Sequence, residues 1–197
     1  MPAETATRLT DAALHSLREH GYAATSMQDL LRTSGVSSSS MYHFFPGGKE
    51  QLVAEAVRRS GRDSAVLIAA VMERHEPAEA IERVFDAAAA EMEGHGFTLG
   101  CPIGVPATEA PSDSEEIRTA VAEVFDSWTE AYAAGLRRHG IDDDTARSLG
   151  RSIVATYQGA VTLARVTRST DPYRDAKALL LPQLRTAPNP SNERITP

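Results

Sequence analysis

The chain has little cysteine, little lysine and no long hydrophobic run, and each scarcity excludes a class of protein. Its single cysteine, Cys101, excludes an internal disulfide framework and a metal site built from several cysteines. No apolar run reaches the ~18–20 residues that a membrane-spanning helix requires. The amphipathic and partly acidic N-terminus, MPAETATRLTDAAL, does not have the composition of a signal peptide. We therefore expect a soluble, cytoplasmic protein.

Positive charge is scarce as well, and its distribution matters more than its total. The 197 residues carry a formal net charge of −7 at pH 7. Residues 1–60 contain six basic and six acidic side chains, so the surplus of negative charge lies beyond residue 60. An acidic protein with a neutral segment can bind DNA when the basic groups and backbone amides of that segment cluster on one face. The composition permits nucleic-acid binding but does not demonstrate it.

Apolar residues recur at helical spacing along nearly the whole chain, and 42% of the residues are hydrophobic. This periodicity predicts an all-α protein with a substantial core. Helices are expected over about residues 5–19, 26–31, 38–45, 48–74, 77–93, 113–139, 145–168 and 172–184, with one short helix after residue 102.

The stretch SSSSMYHFFPGGKE, residues 37–50, decides how the N-terminal segment is interpreted. A flexible serine linker is one interpretation, but helix signals bound the serines too closely on both sides. Ser37 is a natural N-cap, and Pro46 stops the helix that follows it. A phosphate-binding loop is excluded, because that loop needs glycine where His43 stands and serine or threonine where Glu50 stands.

Two short helices joined by a tight turn at Gly35 form the helix-turn-helix pattern. Val36 and Met41 are predicted to fix the second helix against a three-helix core. The small serines at its start would let the helix end approach the floor of the major groove. Tyr42 and His43 are predicted to face outward as hydrogen-bonding groups.

The longer string GYAATSMQDLLRTSGVSSSSMYHFFPGGKEQL, residues 21–52, resembles the N-terminal DNA-binding segment of the tetracycline-repressor (TetR) family. The run PGGKEQLVAEAV and the later segment GCPIG resemble the subgroup that contains the lincomycin-resistance repressor. The resemblance implies an N-terminal three-helix helix-turn-helix domain followed by a larger helical ligand-binding and dimerisation domain. It also implies phosphate contacts from Thr25, Ser26, Tyr42 and Lys49, and base or phosphate contacts from Ser37, Ser38, Ser40 and His43.

The recognition helix departs from the family pattern in its charge. Family members usually carry lysine or arginine where this chain has Ser38 or Ser39, and often histidine where it has Phe44. Loss of one basic contact should lower both the affinity for DNA and its salt dependence by roughly one phosphate contact.

Large apolar side chains beyond residue 77 have two interpretations. Ordinary core packing explains each of them singly, whereas as a set they suit an apolar pocket for the small effector that the family resemblance implies. The predicted ligand-binding residues are Phe85, Met92, Phe97, Cys101, Phe125, Trp128, Tyr132 and Tyr157. For Cys101, a packing role and a redox-sensing thiol both stay open. We predict no catalytic residue, no metal and no cofactor, because neither a catalytic triad nor metal-ligand spacing is legible.

Small residues on the predicted helices 145–168 and 172–184 favour close helix packing and a homodimer formed through a four-helix bundle. These residues are Gly150, Ala155, Gly159, Ala160 and Ala164. We assign residues 1–48 to DNA binding, 49–185 to effector binding and dimerisation, and 186–197 to a disordered tail. The expected function is that of a ligand-responsive repressor that a small apolar effector releases from its DNA operator. The alternative is a small-molecule carrier or enzyme that has lost DNA binding.

Overall fold

The computed structural model describes residues 2–111 and 114–185. Helices make up its regular structure, and no strand occurs in the described residues, which confirms the predicted all-α class. The helices are α1 (Pro2–Ala24), α2 (Met27–Ser34), α3 (Ser38–Phe44), α4 (Gly48–Arg74), α5 (Pro77–Gly94), α6 (Gly104–Glu109), α7 (Glu115–Arg138), α8 (Asp143–Thr167) and α9 (Asp171–Arg185). Within the described chain, no helix combines the length and apolar content required to cross a membrane. The predicted disordered tail, 186–197, lies outside the described residues.

Local signals set most of the helix ends. Ser26 caps α2 and Ser37 caps α3, each by accepting a hydrogen bond from a backbone N–H three residues later. Gly35 ends α2 in the left-handed conformation, which glycine adopts without steric cost. The first helix, predicted to end at about residue 19, kinks at Gly21 (φ 84°, ψ 175°) and then continues to Ala24.

The described chain forms two compact units. Unit 1 comprises residues 2–63 and 99–125 apart from 112 and 113, and unit 2 comprises residues 64–98 and 126–185. Two of the boundaries therefore fall inside α4 and α7. The predicted division at residue 48 separates DNA binding from effector binding and dimerisation, and it is not a division into compact units. It stays a prediction.

The core of unit 1 forms where α1, α2, α3 and the start of α4 meet. Its buried members are Leu9, Ala12, Ala13, Leu30, Val36, Met41, Phe45, Leu52 and Ala56. Val36 and Met41 thus hold α3 against α1 and α2 as predicted, with Met41 fully buried. In the same unit, a Cβ at Gly61 would collide with the side chain of Val124, so a side chain at position 61 would disturb this packing.

Unit 2 is packed through aromatic rings and close helix contacts. The Phe85 and Tyr157 rings meet edge to face with centroids 5.6 Å apart, and the Tyr157 and Tyr173 rings are 6.4 Å apart. A Cβ at Gly150 would lie 2.6 Å from the carbonyl oxygen of Thr129, so α8 approaches the α7 backbone at this glycine. These contacts fix α7, α8 and their neighbours by shape.

The small residues of α8 divide into two groups. Gly150, Ala160 and Ala164 are buried within unit 2. Ala155 and Gly159 are exposed, and a Cβ at Gly159 would meet nothing within 4 Å. The stripe predicted to serve a dimer therefore serves packing inside the chain at three of its five positions.

Candidate DNA-binding site

The N-terminus of α3 is organised by its own serines. The Ser37 hydroxyl accepts a hydrogen bond from the Ser40 N–H at 3.2 Å and donates to the Ser40 hydroxyl at 2.9 Å. The Ser39 hydroxyl lies 3.1 Å from the same Ser37 oxygen. This cap satisfies one of the amides that a helix N-terminus leaves without a partner.

The outer face of α3 is polar and carries no formal charge when His43 is neutral. Ser38, Ser39 and His43 are exposed, and Tyr42 is 53% exposed. The His43 ring packs edge to face on Phe44 at 5.2 Å between centroids. Hydroxyl and imidazole groups can form hydrogen bonds with base edges and phosphates, so this face suits direct contact with DNA.

The start of α2 presents a second polar edge in unit 1. The Ser26 hydroxyl accepts from the Asp29 N–H at 3.1 Å and donates to the Asp29 carboxylate at 2.7 Å. The bond from the Ser26 hydroxyl to the carboxylate, followed by the one from Arg32 at 3.0 Å, lowers the pKa of Asp29. Ser26 itself is exposed, so its position is compatible with the predicted phosphate contact.

Thr25, the neighbour of Ser26, is placed differently. It is 1% exposed, and its hydroxyl donates to the Gly21 carbonyl at 2.7 Å. The same hydroxyl lies 2.9 Å from the Ser16 hydroxyl. The side chain thus closes the α1–α2 junction from inside and is not presented at the surface, in contrast to the predicted phosphate contact.

Lys49 is also engaged inside unit 1. Its Nζ donates to the Tyr22 carbonyl at 2.7 Å and lies 4.0 Å from the centroid of the Tyr22 ring. Partial burial lowers the pKa of Lys49. Burial, together with the nearby Glu50 carboxylate, raises the pKa of Tyr22. In this structure Lys49 braces the α1–α2 junction, and a phosphate would have to compete with the Tyr22 carbonyl for its ammonium group.

Sequence analysis missed Glu109, which acts on the same junction. Its Oε2 accepts hydrogen bonds from the backbone N–H of Tyr22 at 2.8 Å and of Ala23 at 3.4 Å. The carboxylate occupies the space that a Cβ at Gly21 would need. Tyr22 and Glu109 are 87 positions apart, so no local pattern could have revealed the contact.

The predicted ligand-binding residues are distributed over both units. Phe85, Met92, Trp128 and Tyr132 are buried in unit 2, while Phe97 and Tyr157 are half-buried there. Burial raises the pKa of Tyr132. The Phe85 and Tyr157 rings are in contact.

The other two predicted ligand residues, Cys101 and Phe125, belong to unit 1 and are half-buried. The Cys101 thiol accepts a hydrogen bond from the Gly104 N–H at 3.4 Å. The short helix that was expected after residue 102 is present as α6, which begins at Gly104.

A cavity of about 180 Å³ lies elsewhere in unit 2 and involves none of the predicted ligand residues. It is lined by Glu76, Pro77, Ala78, His139, Ile141, Leu184 and Arg185. The His139 Nδ1 atom lies 3.2 Å from a carboxylate oxygen of Glu76. The lining is more polar than the apolar pocket that the aromatic residues predict.

A pair of short helices joined at a left-handed glycine, the second with an exposed polar face, defines a helix-turn-helix DNA-binding protein. Comparison with known proteins gives the same class. Residues 9–56 match the tetR family of bacterial regulatory proteins, and residues 77–179 match the C-terminal domain of LmrA/YxaF-like transcriptional regulators. The chain belongs to the TetR family and, within it, to the LmrA/YxaF-like group. It is a transcriptional regulator with a DNA-binding domain, not an enzyme.

Individual relatives are similar to this chain over most of its length. The HTH-type transcriptional regulator Rv0196 of Mycobacterium tuberculosis is 34% identical over 186 residues, covering 90% of this chain and 94% of the relative. YxaF of Bacillus subtilis is also 34% identical, with 77% and 80% covered. A TetR regulatory protein from Rhodobacter sphaeroides has the same fold, with a TM-score of 0.79 at 21% identity and coverage of 89% and 96%.

Proposed function

We propose that this regulator is a homodimeric repressor, that α3 reads its operator, and that a small apolar effector releases it. The observation that carries operator binding is the exposed polar face of α3, fixed on a buried core by Met41 and Phe45. Ser37, Ser38, Ser40 and His43 would make base or phosphate contacts there, with Ser26, Tyr42 and Lys49 contacting phosphates. DhaR of Mycobacterium sp. GP1, 24% identical with 78% of this chain covered, is itself named a transcriptional repressor. As a DNA-binding regulator, the protein would act in the cytoplasm.

Exposed apolar side chains on α8 and α9 support the dimer. Leu163 and Val166, three positions apart on α8, are 56% and 77% exposed, and Leu179 on α9 is 62% exposed. Apolar side chains exposed together on neighbouring helices mark a surface that a partner covers. Two α3 helices in a dimer would have to reach successive major grooves, roughly 34–36 Å apart.

The aromatic residues of unit 2 support an effector site. Phe85, Trp128, Tyr132 and Tyr157 combine apolar area with polar ring atoms, as small-molecule sites do. A structural neighbour, FadR of Bacillus subtilis, was solved in complex with stearoyl-CoA and has a TM-score of 0.67 at 16% identity. An effector that prefers a conformation with a different spacing of the two α3 helices would release DNA by shifting the population.

The first test is a fluorescence-anisotropy titration on labelled intergenic DNA next to the protein's own gene, against a scrambled duplex at equal salt. A preference of about a thousandfold or more is expected of specific binding. Equal, weak binding to both duplexes would contradict an operator in that region and favour the carrier alternative.

The effector can be sought with the same complex. Trp128 is the single tryptophan of the chain, so its emission reports on unit 2 without labelling. Apolar compounds that change this emission should also lower the anisotropy of the bound DNA. A compound that changes the emission and leaves DNA bound would argue for ligand binding without release.

Tyr42→Ala separates the regulator from the carrier alternative. Tyr42 is exposed, so the variant should fold normally, lose most of its affinity for DNA and keep its response to ligands. In a carrier that has lost DNA binding, the substitution would leave the functional property, ligand binding, unchanged. Normal DNA binding by this variant would remove Tyr42 from the proposed contact set.

A further inference from the structure

The uncharged face of α3 leaves open which residues supply positive charge to the DNA-binding surface. Most described arginines of this region are neutralised by a carboxylate. The pairs are Arg32–Asp29, Arg58–Glu123, Arg59–Asp11 and Arg62–Glu55, at distances of 2.5–3.0 Å. An arginine that is already paired with a carboxylate adds little net attraction for a phosphate.

Arg8 of α1 is different, because its partner is neutral. Its Nη2 donates a hydrogen bond to the carbonyl oxygen of Ser34, the last residue of α2. Among the residues that the structure describes, no carboxylate forms an ion pair with Arg8. The residue is exposed, so its positive charge is accessible from solvent.

The Ser34 bond places this charge at the helix-turn-helix turn. Arg8 Nη2 lies 2.7 Å from where a Cβ of Gly35 would stand, so the guanidinium lies across the turn glycine. Ser37, the N-cap of α3, follows only two residues later. A guanidinium has five N–H donors in a planar fork, and one bond to Ser34 leaves others for a further acceptor.

A helix-turn-helix protein brings the N-terminal residues of its second helix to the DNA, where phosphates line both edges of the groove. The turn that precedes α3 moves with it, and so does the guanidinium held at that turn. The bond to Ser34 restrains the Arg8 side chain before DNA binds, which reduces the entropy lost when it takes a phosphate.

We propose that Arg8 contacts a DNA phosphate and supplies from α1 the positive charge that α3 lacks. This inference rests on the proposed DNA-binding function and extends it to a residue outside the helix-turn-helix itself. It makes the first helix part of the DNA interface.

The test is the salt dependence of DNA binding, since a phosphate contact contributes to it and a purely structural bond does not. The probe is a scrambled, labelled duplex of about 30 base pairs, long enough to span two successive major-groove half-sites. Four variants of the full chain are compared with the wild type: Arg8→Ala, Arg8→Gln, Arg8→Lys and Arg62→Ala. Arg62→Ala is the matched control, because it removes an arginine that is paired with Glu55 on α4.

Arg8→Ala and Arg8→Gln should each make the slope of log Kobs against log salt less negative by about 0.9 per chain. A change of 0.9 in the slope corresponds to roughly an eightfold loss of affinity per chain at 0.1 M salt. The loss becomes smaller as the salt concentration approaches 1 M. Arg8→Lys should keep the wild-type slope, as should Arg62→Ala. Glutamine keeps an uncharged N–H donor at position 8, so this variant removes the charge but not the capacity to donate a hydrogen bond.

Two results would overturn the inference on its own: a wild-type slope in Arg8→Gln, or the same loss of slope in Arg62→Ala. If Arg8→Ala unfolds, as circular dichroism would show, the comparison of Arg8→Gln with Arg8→Lys decides the matter. Failure of the wild type to bind any duplex would overturn the proposed function and, with it, the role of Arg8.

Discussion

Units 1 and 2 are both all-helical, but they are held together by different kinds of contact. In unit 1, single polar side chains reach backbone groups across long stretches of sequence, as Glu109 reaches Tyr22 and Arg8 reaches Ser34. In unit 2, rings and backbones meet directly, as at Phe85 and Tyr157 or at Gly150 and Thr129. In unit 1, hydrogen bonds between distant segments therefore add to the buried core that positions α3, whereas unit 2 is ordered by close contacts between rings and backbones.

The largest effect on stability is expected where α7 and α8 pack too closely to admit a side chain. Gly150→Ala should destabilise the protein by about 1–3 kcal/mol, because the new methyl group must displace the Thr129 backbone. The matched control is Gly159→Ala on the same helix, where a Cβ meets nothing within 4 Å and alanine favours the helix. Chemical denaturation measures both. Equal stabilities for the two variants would contradict tight packing between α7 and α8.

A somewhat smaller effect is expected at the hydrogen bond between Glu109 and Tyr22, which are 87 positions apart in unit 1. Glu109→Ala should cost about 1–2 kcal/mol, since it leaves the Tyr22 N–H without its acceptor. Glu109→Gln keeps an acceptor oxygen and should lose less. DNA affinity should fall in the alanine variant together with thermal stability, because the α1–α2 junction positions α3. Full DNA binding by a destabilised Glu109→Ala protein would show that this junction does not control the recognition helix.

On the proposed DNA-binding face of α3, a substitution should change DNA binding without changing stability. Tyr42→Phe removes one hydroxyl from a side chain that is 53% exposed. Loss of one hydrogen bond worth about 1 kcal/mol should weaken DNA binding roughly fivefold. The melting temperature should stay the same. A drop in the melting temperature without a loss of affinity would place the Tyr42 hydroxyl in the fold rather than in the interface.

The smallest effect concerns a helix cap in unit 2. Asp142 accepts a hydrogen bond from the Thr145 N–H at 3.0 Å, and this bond lowers the pKa of Asp142. A carboxylate with a lowered folded-state pKa stabilises the fold above its unfolded pKa of about 3.9, and this stabilisation is lost as the pH falls through the folded-state value. Asp142→Asn keeps a capping oxygen that does not titrate. Between pH 6 and pH 3, the range around that reference pKa, the melting temperature should therefore fall less steeply in Asp142→Asn than in the wild type. An unchanged slope would contradict the cap.

The sequence analysis was accurate for contacts between residues close in sequence and inaccurate for contacts between distant ones. The caps at Ser26 and Ser37 and the left-handed turn at Gly35 are contacts within three residues, and all three were predictable. Burial of Met41 and exposure of Tyr42 followed from helical periodicity. Thr25 and Ser26 show the limit, since the family resemblance assigned the same phosphate contact to these two adjacent hydroxyl residues. One became the exposed cap and the other a buried link to Gly21.

The sequence by itself determined the all-α class, the helix-turn-helix and membership of the TetR family, because these depend on periodicity, capping residues and a contiguous motif. Tertiary structure decided which side chains are available for function. It turned Lys49 towards the Tyr22 carbonyl 27 positions away, and it placed Arg8 on the turn 26 positions away. It also assigned Gly150 to packing inside the chain while Gly159 stayed exposed. Hydrogen bonds and close contacts between distant segments form only when the chain folds, so no local pattern encodes them.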